Sequence, residues 1–519
     1  MKLNYKRTIL VGFAFFLISA FWQAYDATIP VILTNKFGMS QTLSGVIMAL
    51  DNILAVFMLP LFGALSDKCL GNRWGKRTPF ITVGTVVAAI ALIGLSFVDA
   101  AQLKNISAVS ALDDPAALGI IYDSQAQNVL MTPEGEKFIL TDLFTKEQFT
   151  AITMQIPNPE DAAALITNPF YTNYVAPARQ AYAALQTAAN PQPLIWFVAL
   201  LLVILVAMAT FRSPAVALMP DVTIKPLRSK ANAVINLMGT AGGIIVLVLG
   251  MVFATSAVRN QLMNYTVYYC VIAGIMLAAL VIFLLTVREK AWSKKMQEDS
   301  VALGIEEKEE EGDQKRKLGR SEVTSLLLIL ASVALWYFGY NAVTSKYSVY
   351  AGNILNMDYN TTLLLAQAAA IVAYLPAGFV ASKIGRRKTI LAGVVMLTVA
   401  FGCASFLRSG SSVMLMNVLF ALAGIGWATI NVNSFPMVVE MCSGGDIGKY
   451  TGFYYTASMS AQIVTPMLSG FLMDQMGMTV LFPYAAVFAG LAFVTMFMVK
   501  HGDAKPEAKV GLEALDTED

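Results

Sequence analysis

The sequence predicts an all-α integral membrane protein with twelve spanning helices in two pseudo-symmetric six-helix bundles. Three observations predict it. Hydrophobic residues make up 57% of the chain and charged residues 13%, with a mean hydropathy of +0.62, whereas soluble domains are about 45–50% apolar. Apolar stretches of about 20 residues, the length that crosses hydrocarbon, recur along the whole chain. A basic loop, GALSDKCLGNRWGKRTPF from Gly63 to Phe80, returns in weaker form as GFVASKIGRRK from Gly378 to Lys388. One loop type used twice, roughly 310 residues apart, marks an internal duplication.

In chain order the expected spans fall at roughly 8–33, 41–66, 79–98, 193–213, 230–255 and 265–287, then at 322–345, 361–382, 389–407, 412–435, 450–474 and 479–499. Lys2, Lys6 and Arg7 precede the first span, which is too long for a removable signal peptide and lacks a small-residue cleavage site; it is expected to stay as an anchor. Basic residues gather in alternate connections, at Lys68 to Arg77, Lys225 to Lys230, Arg288 to Arg320 and Lys383 to Lys388, while the other short loops show single charges such as Lys36, Arg259 and Arg408. The positive-inside rule then places both termini in the cytoplasm of a multi-pass plasma-membrane protein.

This order divides the chain into residues 1–98 (helices 1–3), an extracytoplasmic insertion 99–192, residues 193–287 (helices 4–6), a charged cytoplasmic linker 288–320, residues 321–500 (helices 7–12) and a tail 501–519. The insertion is polar and acidic. Its stretches Phe138–Met154 and Asp161–Leu185 are expected to form short helices, either as a small lid over the outer mouth or as a loop with no part in transport. Pro214, Pro220 and Pro226 are expected where a loop absorbs their strain.

Several function classes drop out. A net charge of +2 provides no global field for nucleic acid. The four cysteines have no ligand spacing and His501 is the only histidine, so no metal site and no histidine relay is expected; proton coupling would use carboxylates. No nucleotide loop, zinc motif or nucleophile elbow points to an enzyme.

Charges within hydrocarbon are costly and mark functional positions. Asp26 in span 1 and Asp51 in span 2 qualify, and antiparallel neighbouring helices would bring them together. Two such carboxylates suit holding a proton, or clamping a sodium ion with the amides Asn52 and Gln23. Trp336, Tyr340 and Asn341 on span 7, with Trp427 and Asn431 on span 10, offer flat apolar faces beside hydrogen-bonding groups, the chemistry of a sugar site. Interfacial anchoring and helix packing would use the same residue types. Asp67, Arg73, Arg77 and Arg212 in the first half and Glu440 in the second are expected to pair into a cytoplasmic gate.

The Gly63–Phe80 loop is similar to the signature between helices 2 and 3 of the major facilitator superfamily, and Gly378–Lys388 resembles its degenerate repeat. The form SDKxxxxRWGKRTPFI looks like the glycoside-pentoside-hexuronide cation symporters, closest to the branch of plant sucrose transporters and their animal relatives. That resemblance implies a central cavity between the bundles and cation-driven uptake of a small molecule, a sugar or glycoside, with H⁺ or Na⁺ as coupling ion and no cofactor. Melibiose-type symporters carry a second aspartate directly before the helix 2 proline; Leu59 stands there beside Pro60, which favours protons. Ser382 replaces the loop aspartate in the second repeat, so the gate is expected to be asymmetric. The competing readings are an exporter or lipid transporter of the same superfamily, or a sugar sensor that does not transport. Oligomeric state is not legible.

Overall fold

Backbone N–H and C=O groups in hydrocarbon must be satisfied within the protein, and this chain meets that demand with long helices. The computed structural model describes residues 3–69, 74–158, 165–224, 227–302, 319–439, 441 and 447–501. The first half begins with α1 (Tyr5–Asn35), α2 (Gln41–Lys68) and α3 (Thr78–Asn105). The insertion follows with α4 (Pro115–Gln125), β1 (Leu130–Met131), β2 (Lys137–Phe138), α5 (Leu140–Leu143), α6 (Lys146–Thr150), β3 (Gln155–Pro157), β4 (Leu165–Thr167) and α7 (Ala176–Ala189). Then come α8 (Gln192–Val222), α9 (Arg228–Val252), α10 (Thr266–Thr286) and a surface helix α11 (Glu289–Ala302). The second half consists of α12 (Arg320–Tyr350), α13 (Tyr359–Ile384), α14 (Arg386–Ala404), α15 (Val413–Val439), α16 (Ile447–Met476) and α17 (Leu481–Phe497).

Among the described residues ten helices are long and apolar enough to cross a membrane. The helices α13 and α16, of 26 and 30 residues, complete the twelve. Packing shows the duplication directly. In the first half α1 packs on α9, α2 and α3 on α8, and α10 on α1 and α3; in the second α12 packs on α16, α13 and α14 on α15, and α17 on α12 and α14. Each pairing in one half has its counterpart in the other. The halves meet along α2–α16 and its counterpart α13–α9, with α1 against α12 between them. Each half has its own apolar core, with Ala27 of α1 reaching into the second.

Four expectations are corrected. The insertion is not purely helical: β1 pairs with β2 and β3 with β4, both antiparallel, around a separate core that includes Leu118, Phe138, Phe149 and Tyr171. Within Phe138–Met154 the end of β2 precedes two short helices, α5 and α6, and in the Ala-rich run β4 precedes a π-helical turn, Tyr171–Val175, that leads directly into α7; residues 161–164 lie outside the described residues. The helix α8 runs unbroken through Pro214 and Pro220 rather than ending before them. Finally, α3 continues past Asp99 to Asn105, and Lys36, read as an exposed loop charge, is fully buried.

Lys36 and Asp99 form an ion pair with both side chains at 0% exposure. Lys36 Nζ lies 2.7 and 2.6 Å from the two carboxylate oxygens, donates to the Met263 carbonyl at 2.7 Å and sits 4.7 Å from the centre of the Tyr265 ring. It thereby ties the end of α1 to α3 and to the entry of α10. Removing one partner of such a pair leaves a buried charge and costs about 3–5 kcal/mol, whereas replacing both with apolar groups is far milder. Lys36→Met or Asp99→Asn alone should therefore lower the thermal unfolding midpoint sharply, and Lys36→Met/Asp99→Leu should recover most of the loss.

Candidate functional site

Helical periodicity builds the site. On α1 the residues Phe15, Ile18, Ser19, Trp22, Gln23 and Asp26 follow one another at three- and four-residue steps, and all face a cavity of about 480 Å³ between the halves. The same spacing on α13 brings Leu363, Ala366, Gln367, Ala370, Ile371 and Tyr374 to the opposite wall. Asn236 and Thr240 of α9, Tyr340 and Thr344 of α12, Trp427 of α15 and Arg212 of α8 close the ring.

Tyr340 and Trp427 stack face to face, with ring centres 3.6 Å apart and planes at 4°. Tyr337 holds Trp427 from the side, edge-on at 5.2 Å. Gln367 Nε2 donates to Gln23 Oε1 at 2.5 Å, a polar contact that joins the halves across the cavity. Gly243 lies beneath it, where a Cβ would be 3.4 Å from Gln367 Oε1. Gln367 Oε1 and Trp22 Nε1 are buried without a hydrogen-bond partner among the described residues, so the cavity holds unused polar capacity, as a binding site does.

Asp26 lines the cavity and is close enough to Asp51 for the two carboxylates to repel. Asp51 Oδ1 accepts from the Asn52 backbone N–H at 2.6 Å and from Asn52 Nδ2 at 2.8 Å, and Arg212 acts on it through its charge. The buried Tyr25 hydroxyl, unpartnered among the described residues, feels both carboxylates. Of the sequence candidates, Asp26, Gln23, Tyr340, Trp427 and Arg212 line the cavity, while Asp51 and Asn52 stand behind it. Trp336 is fully buried in the second core. Asn341 and Asn431 keep a buried polar atom unpaired outside the cavity wall. Asn236, Gln367 and Tyr374 had not been singled out from the sequence, although the seven-residue spacing of Gln367 and Tyr374 within an apolar span was a usable signal.

The cavity is closed at the end that carries the insertion. There the carboxylate of Asp474 on α16 accepts from the first backbone N–H groups of α2, Gln41 at 2.7 Å and Thr42 at 2.7 Å, and from Thr42 Oγ1 at 2.5 Å. It satisfies donors that a helix start leaves open. Buried Lys346 of α12 donates to the Gln41 carbonyl at 2.7 Å. Gly45 and Gly470 let the two helix backbones touch: a Cβ on Gly45 would be 2.0 Å from the Pro466 oxygen, and one on Gly470 2.2 Å from the Gln41 oxygen. On the symmetry-related side, Ser256 Oγ donates to Asp358 Oδ1 at 2.6 Å, and Thr255 Oγ1 accepts from Tyr359 Oη at 2.8 Å and from Asn360 Nδ2 at 3.1 Å.

At the other end the expected gate residues stay within the first half. Arg77 donates to Asp67 at 2.5 Å and to Asp221 at 2.8 Å. Burial works against its charge, but the bonds to Asp221 and Asp67 outweigh it and hold the guanidinium above its ordinary pKa. Glu289 of α11, which the sequence places in the charged linker 288–320, is buried. Its oxygens accept from the N–H groups of Lys76, Arg77 and Thr78 at 2.7–2.8 Å and from Thr78 Oγ1 at 2.7 Å, capping α3. Gly75, at φ +120°, makes room, since a Cβ there would lie 2.2 Å from Glu289 Cδ. Arg73 and Glu440 lie outside the described residues.

Two duplicated six-helix bundles enclosing a cavity between them define the chain as a multi-pass integral membrane protein. The profile described as Major Facilitator Superfamily matches residues 180–374 and 359–516, and the profile described as MFS/sugar transport protein matches residues 10–103. The chain belongs to the Major Facilitator Superfamily, whose members are transporters rather than enzymes. It is 28% identical over 130 residues to the MFS-type transporter ppzB of Metarhizium rileyi (strain RCEF 4871), covering 25% of this chain and 26% of that protein. To the uncharacterized protein YqgE of Bacillus subtilis (strain 168) it is 27% identical over 205 residues, 37% of this chain and 46% of that one. The match thus spans about a quarter to under half of these relatives. In fold it is similar to the xylose transporter XylE from E. coli in its inward open conformation, with a TM-score of 0.57, 14% identity and 99% of both chains covered. It is also similar to the peptide transporter POT in complex with sulfate, at TM-score 0.57, 11% identity, and 95% and 93% coverage.

Asp358 makes one side of the closed end pH-sensitive. Its half-burial alone would raise its pKa, but hydrogen bonds from Ser256, Thr361 and Asn360 more than offset this and hold it below the ordinary carboxylate value. A depressed carboxyl stabilises the folded state above the unfolded pKa of about 4, and that contribution disappears as pH falls through the folded value. Asp358→Asn should therefore lower the thermal midpoint at pH 7, with the gap to the native protein narrowing steadily below about pH 4.

Proposed function

We propose that this transporter takes up a sugar or glycoside together with a cation, a proton by preference, with the insertion end outside and both termini in the cytoplasm of the plasma membrane. The carrying observation is the stacked Tyr340–Trp427 pair set in one cavity with Gln23, Gln367, Asn236 and Asp26. A sugar ring presents a CH face to an aromatic plane and a rim of hydroxyls to amides and carboxylates. An exporter of apolar compounds would have little use for Arg212, Asp26 and two glutamines in its cavity wall.

Asp26 anchors hydroxyl groups, and the Asp26–Asp51 pair takes up a proton from one side and releases it on the other. Arg212 supplies a competing positive charge beside Asp51. Sugar entering between α1 and α13 replaces the Gln23–Gln367 bond, so the contact that joins the empty halves is exchanged for contacts through the substrate. Closing around the substrate then exchanges one opening for the other. At the termini end Asp67, Arg73, Arg77 and Glu440 form the second gate, brought together when the halves close there. This reading also draws on the sugar-transport profile over residues 10–103 and on the sucrose-transporter-like signature loop.

Purified protein in liposomes decides the matter: labelled mono- and disaccharides should accumulate under an imposed pH gradient and fail to do so under a sodium gradient alone. Absence of sugar movement under either gradient rejects the proposal. Asp51→Asn should abolish accumulation against a gradient while sparing exchange; unimpaired uphill uptake would remove Asp51 from the mechanism. Trp427→Ala, which removes one face of the stack, should raise the half-saturating sugar concentration by about tenfold, the equivalent of about 1.4 kcal/mol of binding.

A further inference from the structure

The insertion touches both halves. On the first half α7 lies against the α1–α2 turn, where Gly38, at φ +65°, leaves room: a Cβ there would meet Gln180 O and Ala184 N at 2.3 Å. Gln180 Nε2 donates to Asn35 Oδ1 at 3.0 Å, and Gln102 of α3 donates to Thr187 Oγ1 at 3.0 Å. On the second half the turn between β1 and β2 meets the α16–α17 connection. The Met478 N–H donates to the Pro133 carbonyl at 2.7 Å. Two glycines in the left-handed region bring the backbones together: Gly135, at φ +100°, where a Cβ would lie 2.4 Å from the Met476 oxygen, and Gly477, at φ +90°, where one would lie 2.5 Å from Glu134. Arg408 adds a half-exposed pair with Glu134 at 3.8 Å, which contributes little.

This turn is well braced. Thr132 N–H donates to the Glu136 carbonyl at 2.8 Å and Gly135 N–H to the Thr132 carbonyl at 2.9 Å. Leu130 and Phe138, paired across the hairpin, are buried in the core of the insertion. The segment it grips begins two residues after Asp474, the carboxylate that caps α2. The end of α16 therefore cannot leave α2 without also leaving the turn.

We propose that the insertion is a strap: covalently part of the first half, it holds the α16–α17 connection of the second, adds to closure of the insertion end, and sets how often that end opens. The strap rests on alternation between two openings and not on which substrate is carried, so it stands or falls separately from the sugar reading. Its test reads accessibility. In a chain whose four native cysteines are replaced by serine, Ser44→Cys places a reporter on α2 behind the Asp474 cap, at a buried position whose hydroxyl has no partner among the described residues. A membrane-impermeant maleimide is applied to the insertion side of reconstituted vesicles. Gly135→Val, which forces a Cβ into Met476, should raise the labelling rate about fivefold or more. A disulfide between Pro133→Cys and Met478→Cys should suppress labelling of the Ser44→Cys peptide, read by mass spectrometry, and reduction with dithiothreitol removed before the maleimide is added should restore it; this arm decides alone if Gly135→Val does not fold. Labelling of Ser44→Cys that is unchanged both by Gly135→Val and by closing the disulfide overturns the strap.

Discussion

The arrangement depends on where the first N–H groups of α2 find their acceptor. A helix start leaves donors that its own turns cannot use, and here the acceptor is Asp474, a carboxylate from the other half of the molecule. Folding of α2 and closure of the halves thus share one set of hydrogen bonds. Were these groups deep in hydrocarbon, parting them would be prohibitive. At a helix end water can take over the donors and the carboxylate where they separate, so parting them there costs far less.

The two sides of the closed end solve the same problem differently. On α2 the capping carboxylate comes from the far half, reinforced by Lys346. On α13 the helix caps itself, with Asp358 accepting from Asn360 and Thr361, and the far half supplies the hydroxyls of Ser256 and Thr255. Duplication repeated the helix pairings, but the polar chemistry at the seams has diverged. One seam carries charge across the boundary; on the other the capping charge stays with its own helix and neutral hydroxyl and amide groups make the crossing bonds among the described residues.

Much of the frame was legible because hydrocarbon imposes length and periodicity. The twelve spans follow from the length of apolar stretches and the internal duplication from the repeated basic loop, Gln23 and Asp26 stand out as polar residues within an apolar span, and the proximity of Asp26 to Asp51 follows from antiparallel neighbours. What stayed hidden depends on pairing at a distance. Lys36 resembles any loop lysine until the fold brings Asp99 to it from 63 residues away. Glu289 sits in a run of charges whose composition suggests solvent, and Asp474 resembles an ordinary carboxylate at a helix end. The strands of the insertion, two or three residues each, are too short for alternation to register, so composition alone pointed to helices.

The backbone contact at Gly45 and Gly470 carries a further consequence. A seam made of side chains opens transient gaps whenever a rotamer changes, and a gap wide enough for a chain of water molecules conducts protons. Backbone packed on backbone within two regular helices has no rotamers to change. Under the proposed coupling to an ion gradient, the α2–α16 seam would serve as electrical insulation, because leakage through the closed end would discharge the gradient without moving cargo.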